Sequence, residues 1–186
     1  MRYKKFGKTG LEVSEICLGT WGIGGAGWDA HSDEERMDAI KAALDCGINF
    51  IDTAPADNAG RAEQYIGETL HCLGARKHVI LTTKCGNKYV DGKYIRCGSE
   101  ALIRRQCEES LRNLQTDYID LYLVHWPDPN VSMEETIGTV AQSRKKVEEN
   151  CAGLEWQLTE DEMHRLDQAI QRYQFPVQCG EVYQRR

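Results

Sequence analysis

Three ionisable residues, each closing an apolar run, carry the chemistry this sequence has to offer. Ile48 to Ile51 leads into Asp52 and then breaks at Pro55, Val79 to Thr83 ends on Lys84, and Tyr118 to Val124 ends on His125. A buried strand that delivers a charged side chain to its carboxyl end is how parallel α/β folds build active sites. Asp52 alone could cap a helix, Lys84 could be a solvated strand end and His125 a satisfied core histidine. Three strand ends with three different ionisable groups are read instead as one site. A carboxylate and an ammonium there make an ion pair, and an imidazole beside them can orient or protonate a polar substrate.

The elements that must hold these residues alternate along the chain. Residues 3 to 15, with Gly7 and Gly10, read as a small hairpin ahead of the main fold. Glu15 to Leu18 reads as a first core strand stopped by Gly19-Thr20-Trp21, with a glycine-rich loop from Gly22 to His31. Ser32 to Glu35 has the pattern of a capping box, followed by Met37, Ile40 and Leu44 at helical spacing. Strand two is Ile48 to Ile51. A helix from about Ala62 presents Ile66, Leu70 and Leu73 and stops at Gly74. Strand three is Val79 to Thr83, and a loop with Gly86 and Gly92 precedes Ser99, which caps a helix carrying Ile103, Cys107, Leu111 and Leu114. Strand four is Tyr118 to Val124, and a second capping box, Ser132 to Glu135, opens another helix. Four βα units in succession predict a parallel sheet with right-handed crossovers.

After Gln142 the alternation stops. Residues 143 to 186 read as a separate helical segment, with a helix from Val147 to about Leu154 and a third capping box, Thr159 to Glu162, opening the last one. The organisation expected is thus 1–142 for the βα units and 143–186 for the helices.

Composition excludes several function classes. The chain has 186 residues, a formal charge of −6 and 28% charged residues, which argues against a broad nucleic-acid surface. No apolar run approaches the roughly 20 residues needed to span a bilayer, and nothing apolar follows Met1-Arg2-Tyr3-Lys4-Lys5, so no signal peptide is expected. The eight cysteines include no C-x-x-C pair. Cys17, Cys46, Cys72 and Cys107 sit singly in apolar runs, which predicts buried free thiols in a reducing cytoplasm. No His/Cys/Asp cluster has metal-ligand spacing. Gly22, Gly24, Gly25 and Gly27 follow a strand but lack the G-x-G-x-x-G spacing of a Rossmann site.

Gly19-Thr20-Trp21, Asp52-Thr53-Ala54, Lys84, Leu111-Arg112-x-Leu114-x-Thr116-Asp117-Tyr118-Ile119-Asp120-Leu121 and His125-Trp126-Pro127 together resemble the aldo-keto reductases. The resemblance runs unbroken from residue 1 to about 140 and resumes from Arg144 to Leu158. It implies a (β/α)8 TIM barrel, an NADP(H) cofactor and reversible reduction of a small carbonyl compound. In that scheme Asp52 pairs with Lys84, His125 orients the substrate carbonyl, and Trp21 and Trp126 wall the substrate. Gly19, Thr20, Trp21 and Asp52 lie at the cofactor, whose 2′-phosphate would meet Ser143, Arg144 and Lys146 and whose adenine would face Glu149 and Asn150.

Two features depart from the family pattern. The proton-donating tyrosine stands five residues after the aspartate, where this chain has Asp57. With an ordinary carboxyl pKa of about 3.9, Asp57 is expected to be ionised at neutral pH. Asp52 would raise that value and Lys84 lower it. No neighbouring tyrosine substitutes, Tyr65 lying inside the next helix, so His125 is left as the remaining acid and carbonyl reduction is expected to be impaired. The second departure is size. A (β/α)8 barrel takes about 250 residues, and only half the strands are evident here, with strands five to eight missing between Val140 and Ser143. Closure with a second copy, a loose four-unit fold covered by the C-terminal helices, or a shortened version of a longer polypeptide would each answer the exposed edges of a half barrel, and the abrupt junction favours the third. Function therefore reads as an impaired NADPH-dependent reductase or as a non-catalytic relative that binds a nucleotide or a protein partner.

Overall fold

A computed structural model describes residues 1–25, 31–91 and 93–142. The segment 143–186, with the expected C-terminal helices, lies outside the described residues.

The hairpin comes first. β1 (Tyr3–Lys5) pairs antiparallel with β2 (Glu12–Ser14). Asn49 fastens it to the main sheet, accepting from Ser14 N–H at 2.7 Å and donating to the Glu12 carbonyl at 2.9 Å.

The main sheet is parallel and its strand order follows the chain: β3 (Leu18–Gly19), β4 (Phe50–Asp52), β5 (Ile80–Cys85), then β8 (Leu121–Val124). Between them run α1 (Trp21–Gly24), α2 (Asp33–Asp45), α3 (Arg61–Leu73) and α4 (Glu100–Asn113), and α5 (Met133–Gln142) follows β8. The four expected βα units are present. Their strands start later than hydrophobicity suggests, because the apolar residues before Leu18, Phe50 and Leu121 belong to the connections that bring the chain onto the sheet. Glu15 to Cys17 is not strand at all.

Capping chemistry sets the helices. Ser32 Oγ accepts from Glu35 N–H while the Glu35 carboxylate accepts from Ser32 N–H, the reciprocal box that starts α2. Ser132 Oγ likewise accepts from Glu135 N–H at α5. Gly74 ends α3 in a left-handed conformation at φ 62°. The core between sheet and helices is Ile40, Ile51, Tyr65, Ile66, Leu70, Val79, Leu81 and Leu114. α3 and α4 approach so closely at Gly67 that a Cβ there would lie 2.4 Å from the Asn113 carbonyl oxygen.

Three expectations are corrected. The loop containing Gly86 and Gly92 is largely a second hairpin, β6 (Asn87–Val90) antiparallel to β7 (Lys93–Arg96). The thiols are not uniformly buried. Cys85 and Cys107 are, but Cys17, Cys46 and Cys72 are exposed, Cys46 at the end of α2 and Cys72 on the solvent side of the last turn of α3. Leu73, expected on the apolar face of α3, is also exposed.

The Leu111 to Leu121 motif serves the end of the sheet opposite the ionisable residues. Arg76 donates to Thr116 Oγ1, to the carbonyls of Val79 and Tyr118 and to Asp120 Oδ2, and its guanidinium lies 3.7 Å over the Tyr118 ring. Asp120 Oδ2 also accepts from Leu81 N–H at 2.9 Å, tying the start of β5 to the approach to β8.

Candidate active site

Asp52 is the last residue of β4, Lys84 the penultimate residue of β5 and His125 the first after β8. The parallel ladder places all three at one end of the sheet. Lys84 lies within its strand, which runs on to Cys85, and not beyond its end as hydrophobicity suggested. Its ammonium donates to Asp52 Oδ1 at 2.7 Å and to the Thr53 carbonyl at 2.8 Å. The Lys84 side chain is 16% exposed and that of Asp52 40%, so the pair is open on the carboxylate side.

His125 is anchored by its backbone N–H on the Cys85 carbonyl at 2.7 Å. Its Nδ1 lies 3.2 Å from the Asn87 amide nitrogen. That amide can only donate, so Nδ1 accepts and the ring proton sits on Nε2. Burial, and then the Lys84 charge, lower the His125 pKa, with Asp52 opposing. The imidazole is therefore neutral at pH 7 and presents an N–H without charge. It is a hydrogen-bond donor but a poor acid, which corrects the expectation that His125 takes over proton donation.

Asp57 follows β4 in a turn where its N–H donates to the Ala54 carbonyl. It is only 8% exposed. Burial raises its pKa to about 6, with Lys84 lowering it and Asp52 and Glu63 raising it. The ordinary carboxyl value expected from sequence is thus corrected: desolvation outweighs the neighbouring charges. At pH 7 about one molecule in ten still holds the proton.

The floor of this corner is β3. Gly19 is the register partner of Asp52, and Thr20 donates to the Asp52 carbonyl through both N–H and Oγ1. Trp21 opens α1 and is exposed. Trp126 packs against His125, ring centroids 5.5 Å apart. Ser143, Arg144, Lys146, Glu149 and Asn150 lie outside the described residues.

Sequence reasoning missed three neighbours. Asn87 fixes the His125 tautomer. Glu63, fully buried on α3, accepts from Thr83 Oγ1 at 2.7 Å and from Asn113 Nδ2 at 3.0 Å behind the Lys84 strand. Tyr94 on β7 donates to the Ala56 carbonyl at 2.7 Å and meets Trp126 edge-on. The Asp91-Gly92 pair between two runs of strand-forming residues signals the hairpin that brings Asn87 and Tyr94 here.

The profile of the Aldo/keto reductase family matches residues 15–146. This chain belongs to that family. Aldo-keto reductase YhdN of Bacillus subtilis is 46% identical over 136 residues, covering 73% of this chain and 41% of the relative. The NADH-specific methylglyoxal reductase of Escherichia coli is 38% identical over 138 residues, covering 68% of this chain and 42% of the relative. Among solved structures, the holo form of aldo-keto reductase AKR11C1 from Bacillus halodurans superposes with a TM-score of 0.69 at 33% identity, covering 78% of this chain and 47% of that one. The Klebsiella pneumoniae aldo/keto reductase in complex with NADP and acetate superposes at 0.58 with 33% identity, covering 72% and 42%. The fold is that of the (β/α)8 barrel relatives, and the chain spans about two-fifths of the length of the curated relatives it matches.

Proposed function

We propose that this chain carries the acid–base corner of an NADPH-dependent reductase that converts an aldehyde or ketone to an alcohol. The observation that carries the reading is the Lys84–Asp52 ion pair beside a neutral His125 at one end of a parallel sheet. A hydrogen-bond donor and a fixed positive charge beside a carbonyl stabilise a developing alkoxide. Here Lys84 supplies the charge, Asp52 holds it in place, and His125 Nε2–H orients the carbonyl oxygen.

One observation on the described residues supports a nicotinamide at this corner. Gly19, beside Asp52, has open space where a Cβ would stand, with no atom within 4 Å, so a flat ring can lie against that backbone. Bound NADPH would supply the hydride that no side chain can. Gly19, Thr20, Trp21 and Asp52 would contact its nicotinamide end. Ser143, Arg144 and Lys146 are assigned to the 2′-phosphate, and Glu149 and Asn150 to adenine, by their resemblance to the family pattern. Trp21 and Trp126 would bound an apolar carbonyl substrate. The six described cysteines are all free, which supports a reducing, cytoplasmic setting. Among the described residues no helix is long and apolar enough to cross a membrane.

Asp57 makes this corner slow and favours a second reading, a scaffold that binds nucleotide without turnover. A carboxylate beside a developing alkoxide is repulsive, and most molecules hold one at pH 7. Reduced-nicotinamide oxidation with 4-nitrobenzaldehyde separates the two. Turnover that is lost when Lys84 is replaced by methionine establishes the reductase. Quenching of tryptophan fluorescence by NADPH without oxidation at any pH establishes the scaffold.

A further inference from the structure

The β6–β7 hairpin folds back over the site end of the sheet and delivers one phenol to it. Tyr94 Oη donates to the carbonyl of Ala56, the residue immediately before Asp57. Its ring stands edge-on to Trp126, centroids 6.3 Å apart and planes at 85°, and Trp126 in turn packs on His125. The Tyr89 ring lies 4.8 Å from that of Tyr94, tilted by 56°. The Tyr94 hydroxyl is therefore held against the turn that carries position 57, on the same aromatic wall as His125.

We propose that Tyr94 is the proton donor of this chain, supplying from the hairpin the phenol that position 57 lacks. The inference rests on the reductase reading above and adds a catalytic residue to it. The alternatives fit the step less well. Asp57 is mostly ionised at pH 7, a neutral His125 would have to become an imidazolate, and the Lys84 ammonium already donates to Asp52 Oδ1 and the Thr53 carbonyl. A phenol is protonated across the neutral range and gives up its proton more readily than a neutral imidazole does; burial, Tyr89 and then Asp57 raise the Tyr94 pKa, which keeps the proton in place but weakens the acid.

The step balances. A dihydronicotinamide bound beside Gly19 and Thr20 would supply the hydride to the carbonyl carbon, itself becoming the nicotinamidium, and the π pair would move to the oxygen. That oxygen forms its O–H bond with the Tyr94 proton as the phenolic O–H bond and the hydrogen bond to Ala56 break. The phenolate then takes a proton from water, which reaches it because Tyr94 is 36% exposed.

The experiment is steady-state reduction of 4-nitrobenzaldehyde, with NADPH and with NADH, by the parent chain, Tyr94→Phe and Tyr89→Phe, from about pH 5 to 9. Benzoate, whose carboxylate imitates the alkoxide, is titrated into the nucleotide-free proteins in parallel. Tyr94→Phe removes one oxygen from a partly exposed hairpin residue, and its thermal melt is expected to match the parent. The expected result is a kcat lowered about 100-fold with KM little changed, benzoate affinity weakened about tenfold, and Tyr89→Phe unaffected in both. A Tyr94→Phe kcat within about twofold of the parent, or an unchanged benzoate affinity, overturns the proton-donor role while leaving the reductase reading in place. No turnover by the parent with either nucleotide overturns both.

Discussion

Lys84 reaches Asp52 from two residues further along its own strand. In the β4–β5 ladder Asp52 is the register partner of Thr82, yet Lys84 Nζ lies 2.7 Å from Asp52 Oδ1. Thr82 and Lys84 project from the same side of β5, so the long lysine side chain leans back toward its neighbour's terminal carboxylate. Thr83, between them, points the other way, to Glu63. Register and alternation thus separate a reacting face from a buried polar anchor within three consecutive residues.

Because the Asp52 carboxylate is 40% exposed, solvent screens the ion pair and it contributes little to folding, about 1 kcal/mol or less. Lys84→Met is therefore expected to melt close to the parent while losing at least about 100-fold in kcat/KM. A melt lowered in step with activity would show that the pair is structural and that the loss reflects unfolding.

Asp57 links stability to pH with a definite sign. Its carboxyl pKa is raised from an ordinary 3.8 to about 6 by burial, so between those values the folded state binds the proton that the unfolded state has released. Stability from this group is complete below about pH 4 and is lost as pH rises through 6. Replacing Asp57 by asparagine removes the penalty. Urea denaturation should find the two proteins nearly matched at pH 4 and Asp57→Asn more stable by on the order of 2 kcal/mol at pH 7. A difference that does not change with pH would contradict the burial of this carboxyl.

Asp120 is expected to matter for folding and not for chemistry. It pairs with Arg76 at the far end of the sheet, the two side chains 13% and 15% exposed, and also accepts from Leu81 N–H. Asp120→Ala leaves a guanidinium and a strand N–H without that acceptor, at a cost of about 3 kcal/mol. Denaturant midpoints should fall accordingly, while KM for the carbonyl substrate in the folded fraction stays at the parent value.

Much of this was legible in the sequence because buried parallel strands announce themselves. Ile51 and Leu81 sit in apolar runs that a covered sheet buries, and the serines at 32 and 132 mark helix starts by their capping hydrogen bonds. Ser99 stands at the start of α4 without a side-chain cap, and in the apolar run before Val124 Leu123 is exposed. The β6–β7 hairpin was not read, because its exposed faces carry Lys88, Lys93 and Arg96 among the aromatics and no apolar run results. Its turn signal was local, Asp91-Gly92, with Asp91 at φ 48°. The state of Asp57 was also hidden. A carboxyl pKa depends on how much water reaches it, and nothing in the run from Pro55 to Gly60 shows that Asp57 is turned inward. The same holds for Asn87, whose bond to His125 joins residues 38 apart.

The order β3-β4-β5-β8 matches the order of synthesis, each strand docking beside its predecessor. An emerging polypeptide can therefore lengthen this sheet one βα unit at a time without waiting for a distant partner. Asp52 meets Lys84 once the third of these strands is laid down, and His125 and Trp126 join at the fourth. The candidate site is assembled within the first 126 residues, so its geometry depends on the four βα units alone.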